Sequence, residues 1–152
     1  MTRIRTATSD DAARIAAVHE AAIYELGPAA YDDDQVAAWA DPSEEPTPED
    51  DDHWIVAERE RSVVGWGRLD VDGREITGSY VHPDHARSGV GATIIAALEG
   101  YARGQGLTEL TLASSKNAVG FYERLGYDTV ATVDHETTEE ITLECREMRK
   151  DL

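Results

Sequence analysis

The chain has 152 residues, 41% of them hydrophobic, which is one domain's length and enough apolar matter for a packed core. Its 31 acidic side chains against 14 basic ones leave a net charge of −17, so no basic patch is available to displace counterions from nucleic acid. No apolar run approaches the roughly 18 residues of a membrane span, and Met1-Thr-Arg-Ile-Arg5 opens onto a strand pattern, so no membrane partner is expected and a cytoplasmic location is.

Residues 2–7 alternate and predict a first strand. Ser9 and Asp10 offer an N-cap, after which Ile15, Val18, Ala22, Ile23 and Leu26 recur at helical spacing up to Gly27-Pro28. Three aspartates open a short second helix over about 32–40, with Val36 and Trp39 on its apolar face. Residues 41–52, with three prolines and seven acidic residues, form a long loop. Its end, Asp50-Asp51-Asp52-His53, reads as solvated carboxylate rather than as a metal site, and with no His/Cys ligand cluster elsewhere no metal is expected.

From His53 the period changes to two, predicting strands over about 53–59, 62–71 and 74–82. A helix follows over about 89–103, with Val90, Ile94, Ile95, Leu98 and Tyr101 as its buried stripe. A strand at 107–113, a helix at 116–124 and strands near 127–134 and 139–148 complete the chain. Strands interrupted by helices, with an antiparallel meander in the middle, make the fold class α+β, in a single domain over 1–152. Cys145 has no intrachain partner and reads as a small apolar residue in a terminal strand.

Two lysines, Lys116 and Lys150, stand beside twelve arginines. An acidic, lysine-poor surface suits a salt-rich cytoplasm, where at about 1 M salt the Debye length is near 3 Å and self-repulsion is screened. A halophilic source is expected. Acidity of that origin says nothing about a basic substrate.

The most informative segment is 79–98, where a strand ends at Pro83, passes a basic Gly-x-Gly turn and enters an apolar helix. Such a junction presents unpaired backbone N–H groups and the positive end of a helix dipole, which suits an anion. Gly89 and Gly91 would let a phosphate approach the backbone where no Cβ intervenes. A P-loop is excluded because no Lys-Ser/Thr pair follows the glycines, and a dinucleotide fingerprint because the third glycine is missing. On these residues alone a tight turn without a ligand competes evenly.

A second segment, 107–127, carries an alternating strand, a polar turn and a short helix closed by Gly126. Together, Val81-His-Pro-Asp-His85, Arg87-Ser-Gly-Val-Gly91 and Asn117-x-x-x-Phe-Tyr-Glu-Arg-Leu-Gly-Tyr127 resemble the GNAT N-acetyltransferase superfamily. Tyr31-Asp-Asp-Asp-Gln-Val-Ala-Ala-Trp39 is similar to a subgroup of small bacterial and archaeal members. One departure is that Ala86 occupies the place, three residues before the first glycine, where the family commonly has Gln or Arg; Arg87 follows it.

The resemblance implies a mixed, twisted sheet of about seven strands with four helices. It also implies acetyl-CoA as co-substrate and direct attack by a primary amine of a small molecule or protein. Val81, Arg87, Ser88, Gly89, Val90, Gly91 and Ala92 would hold coenzyme A, mostly through backbone amides, and Asn117 would join them unless it caps its own helix. Tyr122 would protonate the leaving thiolate unless it only packs with Phe121. A backbone N–H near Val81 would serve as oxyanion donor. Glu75 stands where some members carry a base acting through water, and an exposed strand-end glutamate is the competing reading. His82 and His85 also lie near the cleft.

Tyr24, Tyr31, Trp39, Trp54 and Trp66 surround the expected acceptor region, but at these spacings they read as core rather than as a cation cage. Pairing of terminal strands in the family makes a homodimer a possible assembly. The other readings are a coenzyme A-binding sensor or interaction domain without turnover, and a member that uses another acyl donor.

Overall fold

A computed structural model of the protein describes residues 1–41, 46–137 and 140–152. Seven strands make one sheet: β1 (Arg3–Thr6), β2 (His53–Arg59), β3 (Ser62–Asp70), β4 (Glu75–Val81), β5 (Glu109–Ser115), β6 (Asp128–Glu136) and β7 (Thr142–Asp151). Their order is β1-β2-β3-β4-β5-β7-β6, and every neighbouring pair is antiparallel except β4 with β5. Four α-helices complete it: α1 (Ala12–Leu26), α2 (Asp33–Ala40), α3 (Val90–Gly104) and α4 (Val119–Arg124). This is the α+β arrangement expected from the sequence.

The helices sandwich the sheet. On one face α3 and α4 bury Ile94, Ile95, Leu98, Ala102 and Tyr122 against Ile76, Leu110, Leu112 and Met148. On the other, α1 and α2 bury Ile15, Val18, Ile23 and Val36 against Trp54, Val56, Trp66, Leu143 and Cys145. Each such aliphatic side chain contributes about 1.5–3 kcal/mol on leaving water. Cys145 is 7% exposed within this layer, as an apolar filler. No helix among the described residues is long and apolar enough to cross a membrane.

Several expectations are corrected. Tyr101 is 37% exposed and stacks on His53 at 3.6 Å, because Ala102, four residues after Leu98, takes the inward position. Leu26 is 52% exposed at the end of α1. The start of α1 is fixed not by Ser9 or Asp10 but by Asp11, whose carboxylate accepts the Thr8 backbone N–H at 2.9 Å and both Arg5 terminal nitrogens at 2.8 Å. Residues 107 and 108 precede β5, after the turn that closes α3: Gly106 is left-handed (φ 84°) and the Leu107 N–H returns to the Ala102 carbonyl at 3.0 Å. β7 starts at Thr142 because Thr137 N–H and Ile141 carbonyl close a turn at 2.9 Å; residue 139, the expected start, lies outside the described residues, as do 42–45 of the long loop. The helix expected at 116–124 is a 3-10 turn over Lys116–Ala118 followed by α4.

Candidate active site

β4 and β5 are paired in parallel only at Glu75↔Thr111 and Ile76↔Leu112. Beyond that, β4 stays with β3 up to Val81 and β5 stays with β7 up to Ser115, so the two strands part and the sheet splits. The backbone of β4 facing this split has no strand partner past Ile76 and is free to hydrogen-bond elsewhere.

At the open end β4 runs into the turn leading to α3. His82 Nδ1 accepts the Asp84 N–H at 3.2 Å. The Ser88 hydroxyl donates to the His85 carbonyl, and Arg59 Nη2 reaches the Ser88 carbonyl at 3.0 Å from the end of β2. Arg87 and Gly89 both take left-handed backbone, at φ 60° and 87°. A Cβ on Gly89 would meet nothing within 4 Å, so its bareness serves backbone conformation and approach, not packing. Gly91 differs: a Cβ there would lie 3.1 Å from the Phe121 ring, so this glycine seats α3 against α4. No side chain caps α3 and no acidic residue occupies its first turn. The N–H groups of Val90, Gly91 and Ala92 therefore head an uncapped helix dipole beside the split.

Tyr122 is 9% exposed, edge-on to Phe121 at 5.0 Å and to Tyr127 at 5.9 Å. Burial raises its phenol pKa, with Tyr80 adding to the rise and the Ser79 hydroxyl opposing it, so its hydroxyl lies beside β4 at residues 79–80. Tyr122 and the Val81–Ala92 segment are thus brought together. Asn117 neither caps its helix nor faces the glycine turn; its Nδ2 donates to the Leu26 carbonyl at 3.0 Å and ties the start of the 116–124 segment to α1.

Glu75 is not brought to Tyr122. It lies at the closed end of the split, four residues along β4 from Ser79, about 13 Å at a strand's rise. There it lines a depression of about 210 Å³ with Thr111, Leu112, Ala113, Val133 and Glu147. Burial raises its pKa, as do the nearby carboxylates of Asp70 and Glu147.

The aromatic residues divide. Tyr31 donates its hydroxyl to the Glu144 carbonyl at 2.6 Å and accepts the Lys116 N–H at 3.1 Å, a structural tie between elements. Trp54 donates to Asp50 at 2.9 Å, and Arg68 over its ring binds Asp50 at 3.2 Å and Asp52 at 2.6 Å. Those loop carboxylates are engaged by protein groups rather than simply solvated. Among the described residues no group of three or more His, Cys, Asp or Glu is placed to hold a metal ion. Tyr24 is 51% exposed.

Sequence reasoning passed over His19 and Tyr80, which meet on the α1/α2 side of the split. Their rings are 4.6 Å apart, edge to face, and Trp39 bonds to both. The available signal for His19 was a polar ring inside the apolar stripe of α1.

Residues 17–127 match the model of the acetyltransferase (GNAT) family. A GCN5-related N-acetyltransferase from Rhodopseudomonas palustris superposes with a TM-score of 0.90 at 29% identity, over 100% of this chain and 96% of that one. The PaiA N-acetyltransferase of Thermoplasma acidophilum, solved in complex with coenzyme A, superposes with a TM-score of 0.78 at 18% identity, over 100% and 99% of the two chains. The protein yncA from Salmonella typhimurium, solved with acetyl-CoA, gives 0.68 at 23% identity, over 100% and 94%. With its fold, its split sheet and the match over most of its length, this chain belongs to the GNAT family and is an acetyltransferase.

Proposed function

We propose that the protein moves an acetyl group from acetyl-CoA to a primary amine of a small molecule or protein, by direct attack and without a covalent acyl-enzyme. One observation carries the reading: the split between β4 and β5 has an uncapped helix N-terminus at its mouth and a buried phenol beside β4. The turn fits a diphosphate, because Gly89 has left-handed backbone and open space, and because the first-turn amides of α3 have no competing side-chain cap.

In this reading Arg87, Ser88, Gly89, Val90, Gly91 and Ala92 hold the diphosphate chiefly by backbone N–H groups. The Ser88 hydroxyl is already given to His85, which leaves its amide as the contact. The partnerless edge of β4 near Val81 supplies an N–H to the thioester oxygen as charge develops there. Tyr122 gives its proton to the departing sulfur. Burial keeps the phenol neutral at working pH, and a thiolate with a conjugate pKa near 8.5 needs only a brief donation. Asn117 orients the 116–124 segment through Leu26. A proton passed from the amine to Glu75 would have to cross about 13 Å through waters.

The enzyme is read as cytoplasmic. Of the two edge strands, β1 and β6, the exposed β6 is the one a second copy would pair with. The test of the function is thiol release from acetyl-CoA across a panel of alkyl amines, aralkyl amines and lysyl peptides, with calorimetry of coenzyme binding. Turnover with at least one amine is expected. Binding with no thiol release from any of them would point instead to a coenzyme A sensor.

A further inference from the structure

The acceptor side of the split carries a group that the transfer needs and that none of the expected site residues provides. His19 sits on α1 facing the sheet, and its Nε2 lies 3.1 Å from the Trp39 carbonyl oxygen. A carbonyl only accepts, so Nε2 carries the hydrogen and the neutral ring leaves Nδ1 bare. Among the described residues nothing bonds to Nδ1. Burial holds the ring's pKa below its ordinary 6.5, opposed by the Trp39 carbonyl bond and then by Glu20, so the ring is neutral at pH 7.

Trp39 fixes more than the histidine. Its indole N–H donates to the Tyr80 hydroxyl oxygen at 3.1 Å, so one residue sets both rings that flank the split. Tyr80 is paired with Trp66 across β3 and β4, with the rings 5.3 Å apart, and the Trp66 ring lies 6.2 Å from His19. Trp66 reaches across β4 because Gly78 has no side chain: a Cβ there would be 2.6 Å from its ring. The Trp66 indole N–H is buried without a partner among the described residues. A cluster serving only as core would pair that buried donor. Here it and the His19 acceptor have no protein partner among the described residues, next to residues 79–81 of β4 and on the face opposite α4 and Tyr122.

We propose that His19 is the catalytic base, taking the proton of the acceptor amine at Nδ1, with Trp39 as the positioning residue that sets its tautomer. This rests on the acetyltransferase reading above. The ammonium proton passes to Nδ1 and then to solvent, which frees the nitrogen pair to form the N–C bond. The C–S bond breaks and the sulfur takes the Tyr122 proton. The second nitrogen proton returns to the Tyr122 phenolate, so one proton is released per acetyl moved. His19 stands beside the residues that flank Tyr122, whereas Glu75 is about 13 Å down the strand.

The ionisable groups beside His19 are Glu20 on α1 and Tyr80 on β4, and the 83–85 turn that packs against α1 carries Asp84 and His85. Trp39 of α2 and Trp66 of β3 do not titrate. Tyr80 is pushed up to about 12 by burial and stays protonated.

The test is the pH profile of kcat/KM for an amine found active in the panel, in the wild type, His19→Gln, His85→Gln and Glu75→Gln. Glutamine keeps a donor for the Trp39 carbonyl but no base. His19→Gln should lower kcat/KM about 10²-fold at pH 7, with acetyl-CoA affinity within threefold, and the deficit should shrink toward pH 10 as free amine accumulates. Long-range proton–nitrogen NMR of the wild type should show His19 protonated at Nε2 and bare at Nδ1. A His19→Gln enzyme within threefold of wild type at every pH overturns the proposal. So does an acidic limb that disappears in His85→Gln or Glu75→Gln instead, or an NMR signal from the other tautomer. Absence of calorimetric heat with acetyl-CoA overturns the transferase reading and this assignment together, and so does binding without thiol release; the other outcomes sink His19 alone.

Discussion

At the residue scale the proposed acid and the proposed base face opposite demands. In the proposed transfer Tyr122 must be protonated when the thiolate leaves, and burial raises its pKa, so it remains a phenol through neutral and mildly alkaline solution. Removing the hydroxyl in Tyr122→Phe should cut kcat by roughly 10²–10⁴ while leaving acetyl-CoA affinity within a few-fold, as read from steady-state kinetics and calorimetry. Because the shift is upward, kcat should show no alkaline limb from Tyr122 below about pH 10. A drop confined to KM would mean that the ring only packs. Asp11 illustrates the opposite sign. The Arg5 hydrogen bond holds its carboxyl below the ordinary 3.8, so its stabilisation is complete above that pH and is lost as pH falls through the lower folded value. Asp11→Asn leaves Arg5 short of a charged partner and should cost about 1–3 kcal/mol in urea unfolding at pH 7, and progressively less as pH falls below 3.8.

At the scale of elements, the turn into α3 does two jobs with two glycines. Gly89 holds a conformation that side chains resist, whereas Gly91 clears room for Phe121. Gly89→Ala should therefore lose about 1 kcal/mol of stability and at least tenfold in acetyl-CoA affinity, because strain moves the α3 amides. Gly91→Ala asks Phe121 to yield by a few tenths of an ångström and should act mainly on Tm, as differential scanning calorimetry would show. This segment was legible in the sequence because a helix stripe, a proline stop and paired glycines are all local signals. The Asn117–Tyr127 run was legible for the same reason. The split between β4 and β5 was not, since it is an absence of pairing between strands that each read normally. Nor was the His19–Trp39–Tyr80 cluster, whose members come from three elements and meet only on folding. The displaced ends of β5 and β7 have a third cause: backbone bonds at Leu107 and Thr137 that no side-chain pattern announces.

For the whole molecule the governing quantity is charge. With 14 basic residues for 31 acidic ones, arginines are shared: Arg5 binds Asp11 and Glu58, Arg68 binds Asp50 and Asp52, and Arg149 binds Glu109 and Asp151. Much of the remaining carboxylate, such as Asp32, Asp33 and Asp34 at the start of α2, has only solvent or its own helix terminus. Salt then acts in two directions. It weakens the exposed bridges, which add little to stability, and it screens the repulsion of a −17 body. The bridges are few and short, whereas the repulsion is summed over many carboxylates at separations the Debye length governs, about 10 Å at 0.1 M and 3 Å at 1 M. Screening should dominate, and Tm should rise as KCl goes from 0.1 to about 1 M. Matched sucrose separates the causes, since it strengthens burial without screening charge. A larger gain from KCl than from sucrose supports a protein built for a salt-rich cytoplasm, and a Tm that falls with KCl would mean the shared arginines outweigh the excess acid.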